Sequence, residues 1–231
     1  MKKRTMSTVL IGWVVLGTAV LAFSSHTILA AEPVKQQGIV DNSMVTFRNF
    51  MADKDMGWLH KNLRNAKAVL IVPNLLKAGF VFGGSGGNGV LIARDEKTGE
   101  WSQPAFYSIG SVTFGVQIGG ESAEVIMVIR TQKAMDALLT TDFKLGGDTS
   151  ISAGPKGAGA KSDVKTDIVS FSKSKGLFAG LNLEGSMLKV SDDSNRAYYD
   201  KKVSPLDILV KKTVSNPGSD NLRHALKKAV K

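Results

Sequence analysis

Between residues 66 and 191 the apolar side chains come in short runs broken by Gly, Asn, Asp and Pro. Examples are Val69-Leu70-Ile71-Val72, Phe80-Val81-Phe82, Val90-Leu91-Ile92 and Val125-Ile126-Met127-Val128-Ile129. Runs of this length with this punctuation predict β-strands joined by turns. Asp95-Glu96-Lys97-Thr98-Gly99 predicts a hairpin loop in which Gly99 supplies the positive φ. Residues 111–118 alternate, with Val112, Phe114, Val116 and Ile118 on one face, which predicts a half-exposed strand. Upstream, Val40, Met44, Phe47, Met51 and Trp58 fall on one helical stripe with Phe50 beside it, predicting a helix over residues 40–64. Its other faces mix Asp41, Asp53 and Asp55 with Arg48 and Lys54, so the stripe reads as core rather than as a basic membrane-binding helix. Thr131 predicts the N-cap of an inserted helix carrying Met135, Leu138 and Leu139. Ser204-Pro205 predicts another start, with Leu206, Leu209 and Val210 as its apolar side and Asn216-Pro217-Gly218 as its stop. A last helix follows Ser219 or Asp220, with Leu222, Ala225, Leu226, Ala229 and Val230 on one stripe and Arg223, Lys227 and Lys228 outside it.

This order of elements is α+β. Composition sharpens the sheet: of 24 glycines, nineteen lie between positions 79 and 185. Such density predicts bulges and tight bends, hence a Gly-rich, strongly curved, mostly antiparallel sheet or small barrel, flanked by an N-terminal helix, one inserted helix and C-terminal helices. Asp192-Asp193 reads as a cap or turn after the last strand. The chain has no Cys, which removes disulfides, thiolate metal sites, a cysteine nucleophile and a lipidated cysteine.

Charge changes the picture at both ends. Thirty Lys and Arg against twenty Asp and Glu leave a formal net charge of +10. Lys2-Lys3-Arg4, an apolar run over residues 9–23 and the small residues Ala30-Ala31 have the form of a secretory signal peptide, cut after Ala30 or Ala31. Residues 1–31 are therefore expected to be an export signal, and the protein is expected in the periplasm or cell envelope of a bacterium. Without that segment 27 basic residues face 20 acidic ones, and residues 201–231 alone hold eight basic residues against Asp207 and Asp220. The expected layout is one domain over residues 32–215 and a basic helix over residues 216–231.

Several motifs imitate chemistry that their surroundings do not support. Gly84, Gly86 and Gly89 match a dinucleotide fingerprint, but a strand, not a helix, follows. Ser85 sits in G-x-S-x-G, yet the same strand leaves no nucleophile elbow, and only His60 and His224 remain beyond the signal segment as bases. Residues 154–162 resemble a phosphate-binding loop with Ala160 where the lysine belongs. No ligand spacing points to a metal, and no cofactor motif is complete. Basic residues with few interleaved aromatics, together with export, argue against nucleic acid.

The chain over about residues 63–209 resembles the SYLF family. The resemblance is carried by Ala66-Lys67-Ala68-Val69-Leu70-Ile71-Val72-Pro73, Lys77-Ala78-Gly79-Phe80, Gly84-Ser85-Gly86-Gly87-Asn88-Gly89-Val90, Trp101-Ser102-Gln103-Pro104-Ala105-Phe106-Tyr107, Gly115-Val116-Gln117-Ile118-Gly119 and Ser152-Ala153-Gly154-Pro155. The most specific stretch is Ser170-Phe171-Ser172-Lys173-Ser174-Lys175-Gly176-Leu177-Phe178-Ala179-Gly180-Leu181-Asn182-Leu183-Glu184-Gly185. What the resemblance implies is a protein without catalytic activity that binds acidic phospholipids, phosphoinositides in eukaryotic members, some of which also bind actin. An exported relative would meet anionic envelope lipids and not actin. The expected headgroup contacts are Lys173 and Lys175, with Lys156 and Lys161 on the Gly-rich loop, although Lys173 and Lys175 also fit a solvated strand edge. The alternative reading is an envelope structural or protein-interaction module that docks a partner through its basic C-terminal tail.

Overall fold

A computed structural model describes residues 27–79, 82–114, 119–140, 142–147, 149–157, 164–178 and 181–230. Helix α1 (Thr27–Ala52) is followed by a 3-10 turn (Lys54–Met56), helix α2 (Gly57–Asn62) and a second 3-10 turn (Leu63–Asn65). Then come strands β1 (Ala68–Gly79), β2 (Phe82–Ala93), β3 (Ala105–Phe114) and β4 (Gly119–Ile129), helix α3 (Gln132–Leu138), and strands β5 (Asp142–Lys144), β6 (Ile151–Ala153), β7 (Ile168–Ser174), β8 (Leu177–Phe178) and β9 (Met187–Val190). Helix α4 (Asp192–Tyr199), a π turn (Leu206–Val210), a 3-10 turn (Pro217–Ser219) and helix α5 (Asp220–Ala229) complete the chain.

The strands form one sheet in the order β5-β9-β3-β2-β1-β4-β7-β6, with β8 added to β7. Every pairing is antiparallel except the parallel pair β6 and β7. Connectivity alone shows that this sheet must curl. Laid flat, eight strands would separate β5 from β6 by about 34 Å. The chain from Lys144 to Ile151 reaches about 24 Å at full stretch, and a bridge between Leu145 and Thr149 shortens it further. The result is a half-barrel whose two edges come close together.

Strand alternation gives each face its own core. Leu70, Val72, Leu91, Val125, Met127 and Leu188 point into the concave side, which is plugged by Met135 and Leu138 of α3, by Leu181 and Leu183, and by Ile208 and Leu209 of the π turn. Val69, Ile71, Val90, Ile126, Val128 and Phe171 point outward under Phe47 and Phe50 of α1, Trp58 of α2, Tyr198 of α4, and Leu222 and Leu226 of α5. Glycine matters most where β1 bulges between Ile71 and Asn74. A Cβ on Gly89 would stand 2.3 Å from the Ile71 carbonyl oxygen, and one on Gly87 would stand 2.6 Å from that of Asn74.

Three expectations are adjusted, and a fourth is covered only in part. The helix expected over residues 40–64 breaks at Asp53, whose carboxylate accepts the Asp55 N–H at 2.9 Å and opens a new turn. Of the alternating run 111–118, residues 111–114 belong to β3, and residues 115–118 lie outside the described residues. Asp192-Asp193 open a helix, α4, in which buried Asn195 accepts the Phe106 N–H at 2.8 Å. The helix expected after Ser204-Pro205 is a single π turn that buries Ile208 and Leu209 and exposes Leu206 and Val210. The apolar run over residues 9–23 lies outside the described residues. No helix among the described residues is long and apolar enough to cross a membrane.

Candidate functional site

The glycine motif runs through β2, so no helix N-terminus follows it. Ser85 Oγ lies 2.7 Å from Ser111 Oγ on β3, and His60 Nε2 lies 3.3 Å from the Phe50 carbonyl oxygen; among the described residues neither histidine hydrogen-bonds to Ser85. These contacts tie strands and helix ends together.

Of the four lysines named from sequence, the three among the described residues do not share one open surface. Along β7, Val169, Phe171 and Lys173 point to the outer face, which α1 covers. The Lys173 ammonium is consequently buried, 2.6 Å from Asp53 Oδ2 and 3.3 Å from the Asn49 carbonyl oxygen, and it lies over the Phe50 ring at 5.2 Å. It locks the end of α1 to the sheet, and the Lys173 hydrogen bond holds the Asp53 carboxyl below its ordinary range. Lys156 lies 3.5 Å from Asp55. Lys175 is exposed in the turn between β7 and β8, at φ 49°. Lys161 lies outside the described residues.

A different basic surface forms where the π turn plugs the half-barrel. Ser204 and Asp207 build the turn from both sides: the Ser204 hydroxyl donates to Asp207 Oδ2 at 2.6 Å and accepts the Asp207 N–H at 3.2 Å. The Lys211 N–H closes an i to i+5 ring on the Leu206 carbonyl at 2.9 Å, and its ammonium reaches Asp207 Oδ1 at 3.0 Å. These donors, the Ser204 hydroxyl first and then Lys211, bring the Asp207 carboxyl down to about 2. With Ile208 and Leu209 turned inward, Leu206 and Val210 stand 38% and 51% exposed, one turn apart on the outside. Exposed Lys201 and Lys202 precede them and exposed Lys211 and Lys212 follow. Lys212 pairs with Asp95 at 2.6 Å.

Two cavities flank this turn. One, of about 350 Å³, is lined by Asp192, Arg196, Lys202, Val203, Ser204 and Asp207. The other, of about 390 Å³, lies against the β2–β3 loop and is lined among others by Lys67, Arg94, Lys97, Met135, Leu209 and Val210. Among the described residues no group of three or more His, Asp or Glu could hold a metal.

Comparison with known proteins places this architecture. The family model described as "Ysc84: Las17-binding protein actin regulator" matches residues 110–229, over half of the chain. The chain belongs to the Ysc84, or SYLF-domain, family. Among its Ysc84-family relatives is an SH3 domain-containing protein of Schizosaccharomyces pombe, 35% identical over 171 residues, covering 71% of this chain and 39% of that protein. LAS seventeen-binding protein 3 of Saccharomyces cerevisiae is 34% identical over 173 residues, covering 71% of this chain and 37% of its own. SH3 domain-containing YSC84-like protein 1 of Homo sapiens is 32% identical over 152 residues, covering 64% and 44%. The chain thus spans about two fifths of the length of these relatives. LAS seventeen-binding protein 3 is named as a binding protein, and the family's description names an actin regulator.

The π-turn surface falls inside the span matched to the Ysc84 family, yet sequence reasoning passed over it. Its lysines count there only as C-terminal charge, and Leu206 and Val210 stand with Leu209 on the apolar side of one helix. The available signal was the symmetry of residues 201–212, in which a Lys pair stands on each side of one apolar turn.

Proposed function

We propose that this Ysc84-family chain is a non-enzymatic protein that docks reversibly on membranes rich in acidic phospholipids, using the face carried by the π turn. The observation that carries the proposal is the exposed pair Leu206 and Val210 set between Lys201-Lys202 and Lys211-Lys212. Exposed apolar tips flanked along the chain by exposed lysines match an anionic interface, where the lysines meet headgroup phosphates and the tips enter the acyl boundary. Each unpaired Lys near such a surface contributes about 1 kcal/mol. Lys211 and Lys212 already share carboxylates, so Lys201 and Lys202 carry most of the attraction, about 2 kcal/mol. Together with two partly buried apolar tips this supports weak, salt-sensitive association rather than insertion. Residues 1–31, read as an export signal, would deliver the protein to the envelope of a bacterium, where it meets anionic lipids and not actin.

The C-terminal helix is a weaker docking surface for a protein partner. Its Leu222 and Leu226 are buried, Arg223 donates to the Trp101 carbonyl oxygen at 3.1 Å, and Lys227 pairs with Glu100. Cosedimentation with vesicles of phosphatidylcholine alone and of phosphatidylcholine mixed with phosphatidylglycerol tests the proposal. Binding confined to the mixed vesicles and lost at high salt is expected; equal binding to both, or binding to neither, refutes it.

A further inference from the structure

The larger cavity beside the π turn has a composition that weak surface docking does not require. Its wall carries four cationic side chains, Lys67, Arg94, Lys97 and Lys212, and two carboxylates, Asp95 and Glu96. The carboxylates are already committed, Asp95 to Lys212 and Glu96 to Lys67. Asp95 also accepts the backbone N–H groups of Lys97 and Thr98 at 3.0 and 3.1 Å, and the Lys212 ammonium beside it holds its carboxyl far below the usual range. Arg94 and Lys97 therefore remain as the unmatched charges. Arg94 Nε is fully buried and has no hydrogen-bond partner among the described residues. A guanidinium N–H taken out of water without an acceptor is costly, and Arg94 is one of the residues that line the cavity.

We infer that this cavity is a headgroup site for a lipid phosphate monoester, with Arg94 and Lys97 binding the phosphate and Met135, Leu209 and Val210 facing the glycerol end of the lipid. The surplus of two positive charges matches the charge of a phosphate monoester at neutral pH, close to −2, and exceeds that of a phosphodiester. The planar fork of Arg94 suits two oxygens of one phosphate. The volume, about 390 Å³, exceeds that of a lone phosphate, and the apolar side of the lining continues into Val210 on the docking face. A headgroup held here would lie at the edge of the surface on which the protein docks. The inference thus rests on the membrane reading above and deepens it by naming a preferred lipid class.

The test compares vesicles containing phosphatidic acid with vesicles containing phosphatidylglycerol, matched for surface charge, using the full chain, Arg94→Gln, Arg94→Lys and Lys201→Gln/Lys202→Gln. The wild type is expected to favour phosphatidic acid by about tenfold or more, the scale of a charge-assisted hydrogen-bond pair. Arg94→Gln lowers phosphatidic-acid binding to the phosphatidylglycerol level, and Arg94→Lys restores only part of the preference. Lys201→Gln/Lys202→Gln weakens binding to both lipids and keeps their ratio. Thermal unfolding midpoints of all variants separate these effects from misfolding. An unselective wild type, or a folded Arg94→Gln that keeps the preference, overturns the headgroup site while leaving membrane docking intact. Binding to neither vesicle overturns the membrane reading itself. Calorimetry with inorganic phosphate and with dihexanoyl phosphatidic acid distinguishes the sources: tighter, Arg94-dependent binding of the lipid supports the inference, and equal affinity for free phosphate overturns it.

Discussion

Replacing Asp53 by Asn removes the carboxylate that faces Lys173 while keeping the side-chain volume and the ability to cap the turn at residues 54–56. The partner left behind is an ammonium at a residue only 6% exposed, lying over the Phe50 ring. Breaking a fully buried pair from one side costs about 3–5 kcal/mol. The Asp53 side chain is 26% exposed, so water reaches one end of the pair and the expected loss is smaller, about 2–3 kcal/mol. In a domain of this size that lowers the unfolding midpoint by about 4–12 °C. Lys173→Met removes the buried charge and keeps a stem of similar length over Phe50, leaving behind only the partly hydrated carboxylate; its expected cost is below about 1 kcal/mol. The double variant should resemble Lys173→Met. The pH dependence has a definite sign: the folded Asp53 pKa lies below its unfolded value, so the pair's contribution is present above the ordinary carboxylate range and is lost as pH falls from that range through the lowered folded value. Urea and thermal unfolding followed by circular dichroism, at neutral and acid pH, measure these quantities. If Asp53→Asn costs no more than Lys173→Met, the buried-pair reasoning is refuted.

Three further outcomes follow from local geometry. Gly89→Ala places a Cβ against the Ile71 carbonyl oxygen at the β1 bulge, where only main chain can give way, and should cost at least about 2 kcal/mol in urea unfolding. Lys175 and Gly176 both take positive φ, 49° and 76°, in the β7–β8 turn; Lys175→Asn should therefore stabilise the protein by about 0.5–1 kcal/mol, and an unchanged unfolding midpoint would contradict that turn geometry. The Ser204 and Lys211 hydrogen bonds bring the Asp207 carboxyl down to about 2, so the π turn keeps its contribution above the ordinary carboxylate range and loses it as pH falls toward that value; the protection factor of the Lys211 amide, the intrinsic exchange rate at the same pH divided by the observed one, should fall over that interval, and Asp207→Ala should lower it already at neutral pH.

How much of this was legible in the sequence depended on whether a signal was local. The strands, the Thr131 cap, which accepts the Ala134 N–H at 3.2 Å, and the α5 stripe were readable because each rests on neighbouring residues. Glycine density announced curvature, but the clash that makes Gly89 necessary is with the bulge of the neighbouring strand β1, which spacing within β2 does not reveal. Helix α4 escaped notice because apart from its two tyrosines it offers little apolar pattern, and its buried Asn195 serves the backbone of β3. Lys173 looked like a headgroup ligand because its partner, Asp53, is 120 residues away in sequence. Leu206 and Val210 were misplaced for the same reason: which side of the π turn is buried depends on the concave core that it plugs, not on its own spacing.

The most direct test of membrane docking is flotation of the wild type and of Lys201→Gln/Lys202→Gln/Leu206→Ser/Val210→Ser with phosphatidylglycerol vesicles, beside Lys173→Met as a variant of a buried lysine. The account expects the fourfold variant to stay at the bottom of the gradient while the wild type and Lys173→Met float together. A fourfold variant that is folded and floats like the wild type would contradict it.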